Sequence, residues 1–174
     1  MGDAFTVRPL VMADAPARLH EQVVEVIQAA HRRSDGTLPE RFLSPALFDQ
    51  VYDGVYSVIR DRARFLVALA DGAVIGVGGY RPAWCSGHGW ELAYGAVLPA
   101  WQGIGVGMAL LRARLDAIAQ AGSTGDFIIA RSGRPSTFIR LGFRQVSVSD
   151  PLLLVGTVGM SMPAAQPVEV RASA

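Results

Sequence analysis

The chain is poor in charge, in cysteine and in long apolar runs. Charged residues fill 18% of its 174 positions, and 16 basic against 15 acidic side chains leave a formal net charge of +1. No basic run stands out beyond "HRR", His31–Arg33. That is not the electrostatic footprint of a nucleic-acid-binding protein. A single cysteine, Cys85, excludes an intrachain disulfide and any multi-cysteine zinc site. It reads as a small loop residue rather than a nucleophile, because no histidine–acid constellation surrounds it in the sequence. No apolar run reaches the roughly 20 residues of a membrane helix. Asp3, Arg8 and Pro9 stand where a signal peptide needs an apolar core. "MGDAFT" fits the loose myristoylation pattern, but the match is too short to outweigh the expectation of a cytoplasmic protein with no membrane partner.

Hydrophobic side chains, in contrast, make up 51% of the chain. That is a packed globular composition, and the length suits one domain able to bury roughly 70% of its unfolded surface. We expect that domain over residues 1–162, with no internal repeat. "PAAQPVEVRASA", residues 163–174, reads as a flexible C-terminal tail.

Local patterns give an order of elements. "FTVRPL" reads as a first strand. Asp14 is placed to cap a helix with Pro16 in its first turn and Leu19, Val23, Val26, Ile27 and Ala30 at helical spacing. Ser44 and Pro45 open a second helical pattern running to Asp61. "ARFLVALADGAVIGVGGYRP" reads as a hairpin about its Asp71-Gly72 turn. "GWELAYGAVLP" is a further strand, in which Gly95 suggests a bulge. A helix runs to about Ala121, "FIIAR" is a short buried strand, "PSTFIRL" a short helix, and "GFRQVSV" and "GTVGMSM" late strands. Such an alternation, with several tight turns, predicts an α/β (α+β) fold. Its central sheet is mixed and mostly antiparallel, with six to seven strands and about four flanking helices.

"PAWQGIGVGMALLRARL" carries Gly103, Gly105 and Gly107 at every second position, directly before a helical pattern. Glycine inside a helix costs about 1 kcal/mol relative to alanine. Bare backbone at a helix start lets an anion reach unpaired N–H groups at the positive end of the helix dipole. The competing reading is a glycine turn made for tight packing. The dinucleotide-binding fingerprint fits badly, because Met108 stands where it needs glycine, and the P-loop fails because no lysine follows.

Strand "ELAYGAV", Pro99, "WQGIGVG" and a helix with a leucine pair resemble the GNAT superfamily of acyl-CoA-dependent N-acyltransferases. Gln102, Gly105 and Gly107 match its Arg/Gln-x-x-Gly-x-Gly/Ala motif, and "STFIRLGFRQV", with Leu141, Gly142 and Phe143, is similar to its second signature. The opening "TVRPLVMAD" is similar to its usual first strand and turn, so the resemblance covers the chain to about Met162. It implies a sheet with splayed central strands and acetyl-CoA as co-substrate. Gln102, Gly103, Ile104, Gly105, Val106, Gly107 and Met108 would hold the pyrophosphate. Ala96, Val97 and Leu98 would take the pantetheine arm through backbone bonds, with Phe138 beside it.

The resemblance also makes Glu91 the candidate general base, acting directly or through water, six residues before Val97. The alternative for Glu91 is an edge or solvent-facing glutamate, and His88 is a weaker candidate to assist it. An amine with a pKa of about 10.4 is almost wholly protonated at pH 7, so a base matters. The oxyanion site is expected to be backbone N–H near Val97. Many members carry a tyrosine where this chain has Phe138, which cannot donate a proton; Ser132, Ser136, Tyr94 or water are substitutes. Arg32 and Arg33, in a loop with His31, Asp35 and Glu40, could bind an acceptor carboxylate or form a solvated loop. "SVSDPLLLVG" either folds over the acceptor mouth or supplies core or dimer contacts. The expected function is transfer of an acetyl group to the primary amine of a small, amino-acid-like acceptor in a ternary complex, by a monomer or homodimer. The alternatives are a coenzyme A-binding module without turnover and a transferase of larger acyl groups.

Overall fold

The computed structural model describes residues 5–43, 47, 51, 63–83, 85–122, 126–148 and 151–158. The second helical pattern of the sequence, 44–61, lies outside these residues except for Leu47 and Val51, both fully buried. The expected tail at 163–174 also lies outside them.

Strands β1 (Thr6–Pro9), β2 (Arg64–Ala70), β3 (Ala73–Pro82), β4 (Gly89–Val97), β5 (Phe127–Ser132), β6 (Arg144–Gln145) and β7 (Leu152–Thr157) form one sheet in the order β1-β2-β3-β4-β5-β7-β6. Among these pairings β4–β5 alone is parallel; the rest are antiparallel. The hairpin turn is as expected: Asp71 (φ 49°) and Gly72 (φ 79°) are both left-handed, which matches the twist of β2 and β3.

Helix α1 (Leu19–His31) covers one face of the sheet. Its stripe of Leu19, Val23, Val26 and Ile27 packs on Phe65, Val67, Val77 and Ala96. Helix α2 (Val106–Ala121) covers the other face with Leu110, Leu111, Leu115 and Ile118. It lies close to β3: a Cβ on Gly76 would meet Leu110 at 3.0 Å and Val106 at 3.1 Å. Helix α3 (Ser136–Arg140) follows β5.

Three local expectations need correction. Asp14 does not cap α1. It lies inside a 3-10 turn, Met12–Ala17, and left-handed Arg18 (φ 56°) precedes the helix with no side-chain cap. Asp14 instead accepts two bonds from Arg8, 2.7 and 2.8 Å, and one from the Val11 N–H at 2.8 Å, which ties β1 to the turn. The late strands are also shifted. Of "GFRQVSV" only Arg144–Gln145 is strand, with the Val146 N–H still bonded to Leu153 O at 2.9 Å, and the last strand is Leu152–Thr157 rather than one beginning at Gly156. The leucines of "SVSDPLLLVG" therefore belong to the sheet, with Leu154 fully buried between β5 and β6. Finally, the left-handed bulge residue is Tyr94, not Gly95.

The Arg8 bonds hold the Asp14 carboxyl below its ordinary range. A lowered folded-state value means stability that is present above the unfolded value and lost as pH falls through the folded one. Asp14→Ala is expected to cost about 1 kcal/mol at neutral pH, a modest figure because Arg8 is partly exposed. Thermal melts should show the difference from the parent shrinking below about pH 4.

Candidate active site

The parallel pair β4–β5 runs from Gly89↔Phe127 to Leu92↔Ala130 and no further. Beyond Leu92 the two strands diverge. β4 continues to Val97 bonded to β3, so among the described residues its other edge has no strand partner there. A register shift sharpens the divergence. Gly79 pairs with Ala93 and Val77 with Ala96, so β3 advances two residues while β4 advances three. Tyr94 absorbs the extra residue at φ 51°, a strained position for an aromatic side chain. Its ring packs 5.6 Å from Phe65 and 6.4 Å from Phe42, on the α1 face of the sheet.

The divergence opens a cavity of about 980 Å³ through the sheet. The glycine turn forms one end of it. Gly103 (φ 84°) and Gly105 (φ 97°) are left-handed, and nothing lies within 4 Å of where their Cβ atoms would stand. The glycines therefore serve backbone conformation and an open approach, not close packing. α2 starts at Val106, and its first bond to the turn is from the Ala109 N–H to Gly105 O, 2.9 Å. The N–H groups of Val106, Gly107 and Met108 have no carbonyl within the helix to meet. The Gln102 side chain donates to Val97 O at 3.0 Å and fixes the turn against the end of β4.

Charge in the cavity is uneven. Glu91, 4% exposed, lies on the α1 face of β4. Arg81 donates from Nε to Glu91 Oε2 at 2.9 Å, and the Arg131 Nη2 stands 3.3 Å from Oε1. Glu91 is thus not the solvent-facing glutamate of the alternative reading. Its two guanidinium partners leave N–H donors unused, and both line the cavity. Arg134 and Arg140 line it too. From the α2 face comes Arg114, 6% exposed, whose side chain passes over Gly78; a Cβ there would meet its Nε at 2.6 Å. Its bonds are two long ones to carbonyls, Nε to Leu110 O at 3.3 Å and Nη1 to Gly79 O at 3.5 Å. Burial pushes the guanidinium pKa down to about 10, which leaves it charged at neutral pH.

Of the residues singled out in sequence, Glu91, Ala96, Val97, Gln102, Gly103, Gly105, Gly107, Met108 and Phe138 line this one cavity. Three do not. Val106 is a core residue, Ile104 is 53% exposed, and Leu98 packs beside the α1 core with its N–H on Ile75 O. Phe138 stacks edge-on to Phe143 at 5.5 Å. Ser132 and Tyr94 line the cavity, whereas Ser136, His88 and Cys85 do not. Arg32 and Arg33 are exposed and do not line it, and Arg32 bonds to Gly36 O, whereas His31 beside them, the last residue of α1 rather than part of a loop, does line it. Arg81, Arg114 and Arg131 escaped the sequence reading. Arg114 was detectable, as a charge on the apolar stripe of α2; the other two meet Glu91 only through strand pairing.

A family model described as "Acetyltransferase (GNAT) family" matches residues 22–136. The fold is similar to a GNAT-family acetyltransferase from Desulfovibrio desulfuricans, at 19% identity and a TM-score of 0.67, covering 89% of this chain and 99% of that one. It is also similar to the PaiA N-acetyltransferase of Thermoplasma acidophilum, solved with coenzyme A (16%, TM-score 0.67, 88% and 99% covered). A GNAT-family acetyltransferase from Brucella melitensis, solved with acetyl-CoA, is a third likeness (22%, TM-score 0.61, 92% of each chain). A search of curated proteins finds no match.

Proposed function

We propose that this chain, which belongs to the acetyltransferase (GNAT) family, moves an acetyl group from acetyl-CoA to the primary amine of a small anionic acceptor. The family's co-substrate is acetyl-CoA, which supplies a thioester-activated acetyl group. The observation that carries the reading is one continuous cavity. It leads from bare helix-start N–H groups, along the unpaired edge of β4, to buried Glu91.

Each end suits a different task. Gly103 to Met108 offer N–H groups to a pyrophosphate, and Arg134 and Arg140 add positive charge nearby. The edge of β4 at Ala96 and Val97 offers main-chain bonds to the pantetheine arm, and its N–H groups can face an oxyanion. On the α1 face, Glu91 holds an incoming ammonium and takes its proton through water; a carboxylate retains lone pairs beyond the two its arginines use. The unused donors of Arg81 and Arg131 favour an acceptor that carries a carboxylate beside its amine. In this reading they take the role that the sequence suggested for Arg32 and Arg33.

The engagement of both Glu91 oxygens also favours a second reading, a coenzyme A-binding module without turnover. One pair of measurements separates the two. At 100 times its dissociation constant, acetyl-CoA should stabilise the protein by about 2.7 kcal/mol. A domain of this size would then melt roughly 5–10 °C higher. The same rise with thiol release over a panel of amino acids supports the transferase; a rise without turnover supports the module. No rise at saturation would overturn both.

A further inference from the structure

Acyl transfer from a thioester leaves a thiolate, which must be stabilised where the carbon–sulfur bond breaks. Among the described residues Arg114 is a buried cation with no carboxylate partner; it bonds only to the Leu110 and Gly79 carbonyls. Desolvation is the cause of its depressed pKa. Such a group is costly to bury unless a ligand completes it. Its guanidinium nitrogens are aimed at the bulge, 3.6 Å from where a Cβ of Gly95 would be. Gly78 and Gly95 carry no side chain in the way. Gly95 directly precedes Ala96 and Val97 on the edge read as the arm's track, and Arg114 and Glu91 approach the cavity from opposite faces of the sheet.

We propose that the Arg114 guanidinium is the binding site for the leaving thiolate of coenzyme A. This rests on the transferase reading above. The acceptor ammonium first gives one proton by water to Glu91, which passes it on to solvent. The neutral amine's lone pair then forms the carbon–nitrogen bond, the second amine proton leaves by water to the regenerated Glu91 carboxylate, and the carbon–sulfur bond breaks with its electron pair on sulfur. Arg114 transfers no proton; it lowers the energy of the sulfur anion by a charge-assisted contact from a buried guanidinium. Phe138, the aromatic group on the same wall, has no proton to give, so the burden falls on charge.

The decisive readout needs no turnover. Coenzyme A bound to the protein is titrated with pH, and the ultraviolet absorbance of its thiolate is followed. The midpoint with the parent protein should lie at least one pH unit, about tenfold in the equilibrium, below that with Arg114→Met. Arg114→Lys should fall between them. Affinity for coenzyme A and melting temperature, measured on each variant, establish that the site is intact; if Met does not fold, Lys and Gln make the same comparison. Equal midpoints in folded, coenzyme-binding proteins would overturn the assignment. So would a preference of tenfold or more for succinyl-CoA over acetyl-CoA that Arg114→Met abolishes, because the guanidinium would then read an acyl carboxylate. Failure of the parent protein to bind coenzyme A would instead sink the transferase reading itself.

Discussion

Gly105→Glu is expected to raise the acetyl-CoA dissociation constant by about a thousandfold while leaving the chain folded. The backbone at Gly105 is left-handed, φ 97°, so any side chain there costs roughly 1–2 kcal/mol. Nothing beyond its chain neighbours lies within 4 Å of the new Cβ, so the side chain leaves the backbone into open space. A carboxylate at a helix start is also favourable, by about 0.3–1 kcal/mol, which offsets part of the strain. The same carboxylate sits over the N–H groups proposed for the pyrophosphate. Two unit charges 4 Å apart near a protein surface repel by about 4 kcal/mol, close to three decades in affinity. Gly105→Ala carries the strain without the charge and should lose far less. Titration calorimetry on both variants, with melts as the folding control, measures the split. Unchanged affinity in Gly105→Glu would detach the turn from the cofactor.

What the sequence reveals and what it hides follow from the range of the forces involved. The Asp71-Gly72 hairpin, the α1 stripe and the glycine turn before α2 were readable because each is set by residues a few positions apart. The splay of β4 from β5 was expected only through family likeness, since its register pairs residues 38 positions apart, Leu92 with Ala130. The bulge was anticipated at the right place but assigned to the wrong residue. Local rules give a positive φ to glycine, and Tyr94 takes it instead because its ring packs against Phe65 and Phe42. Asp14 shows the same limit. Its spacing to the helix suggests a cap, but a guanidinium six residues upstream competes and wins with two charge-assisted bonds.

The chemistry divides along the same line. Glu91 and the glycines were visible; the arginines around them were not, because Arg81 and Arg131 lie 10 and 40 positions from Glu91. Reading charge by sequence neighbourhood pointed to Arg32 and Arg33, which the fold leaves in an exposed loop. Arg114 was hidden differently. It sits three positions after Leu111 and four before Ile118, inside the stripe that made α2 legible, where a lone charge is easily averaged away.

Glu91→Gln is expected to lower kcat by about 10²–10⁴-fold while acetyl-CoA affinity stays within a few-fold. The amide keeps the shape of the side chain and removes the acceptor of a proton. It leaves Arg81 and Arg131 without a counter-charge, but both reach water, so the loss of stability should stay near about 1–2 kcal/mol. The pH dependence carries the mechanistic content. Without a base, rate depends on the neutral fraction of the free amine. An α-amine of pKa about 7.7–8.0 is then roughly a tenth reactive at pH 7, whereas a side-chain amine of pKa about 10.4 is less than roughly 0.1% reactive. The deficit of Glu91→Gln should therefore be greatest at low pH, narrow as pH rises, and be larger for the more basic acceptor. Arg81→Met is the companion variant. It frees one Glu91 oxygen and removes donors offered to an acceptor carboxylate, so it should raise KM for the acceptor more than it lowers kcat. A deficit in Glu91→Gln that is the same at every pH and for both amines would make Glu91 a group that positions the acceptor rather than a base. Full activity would remove it from the mechanism.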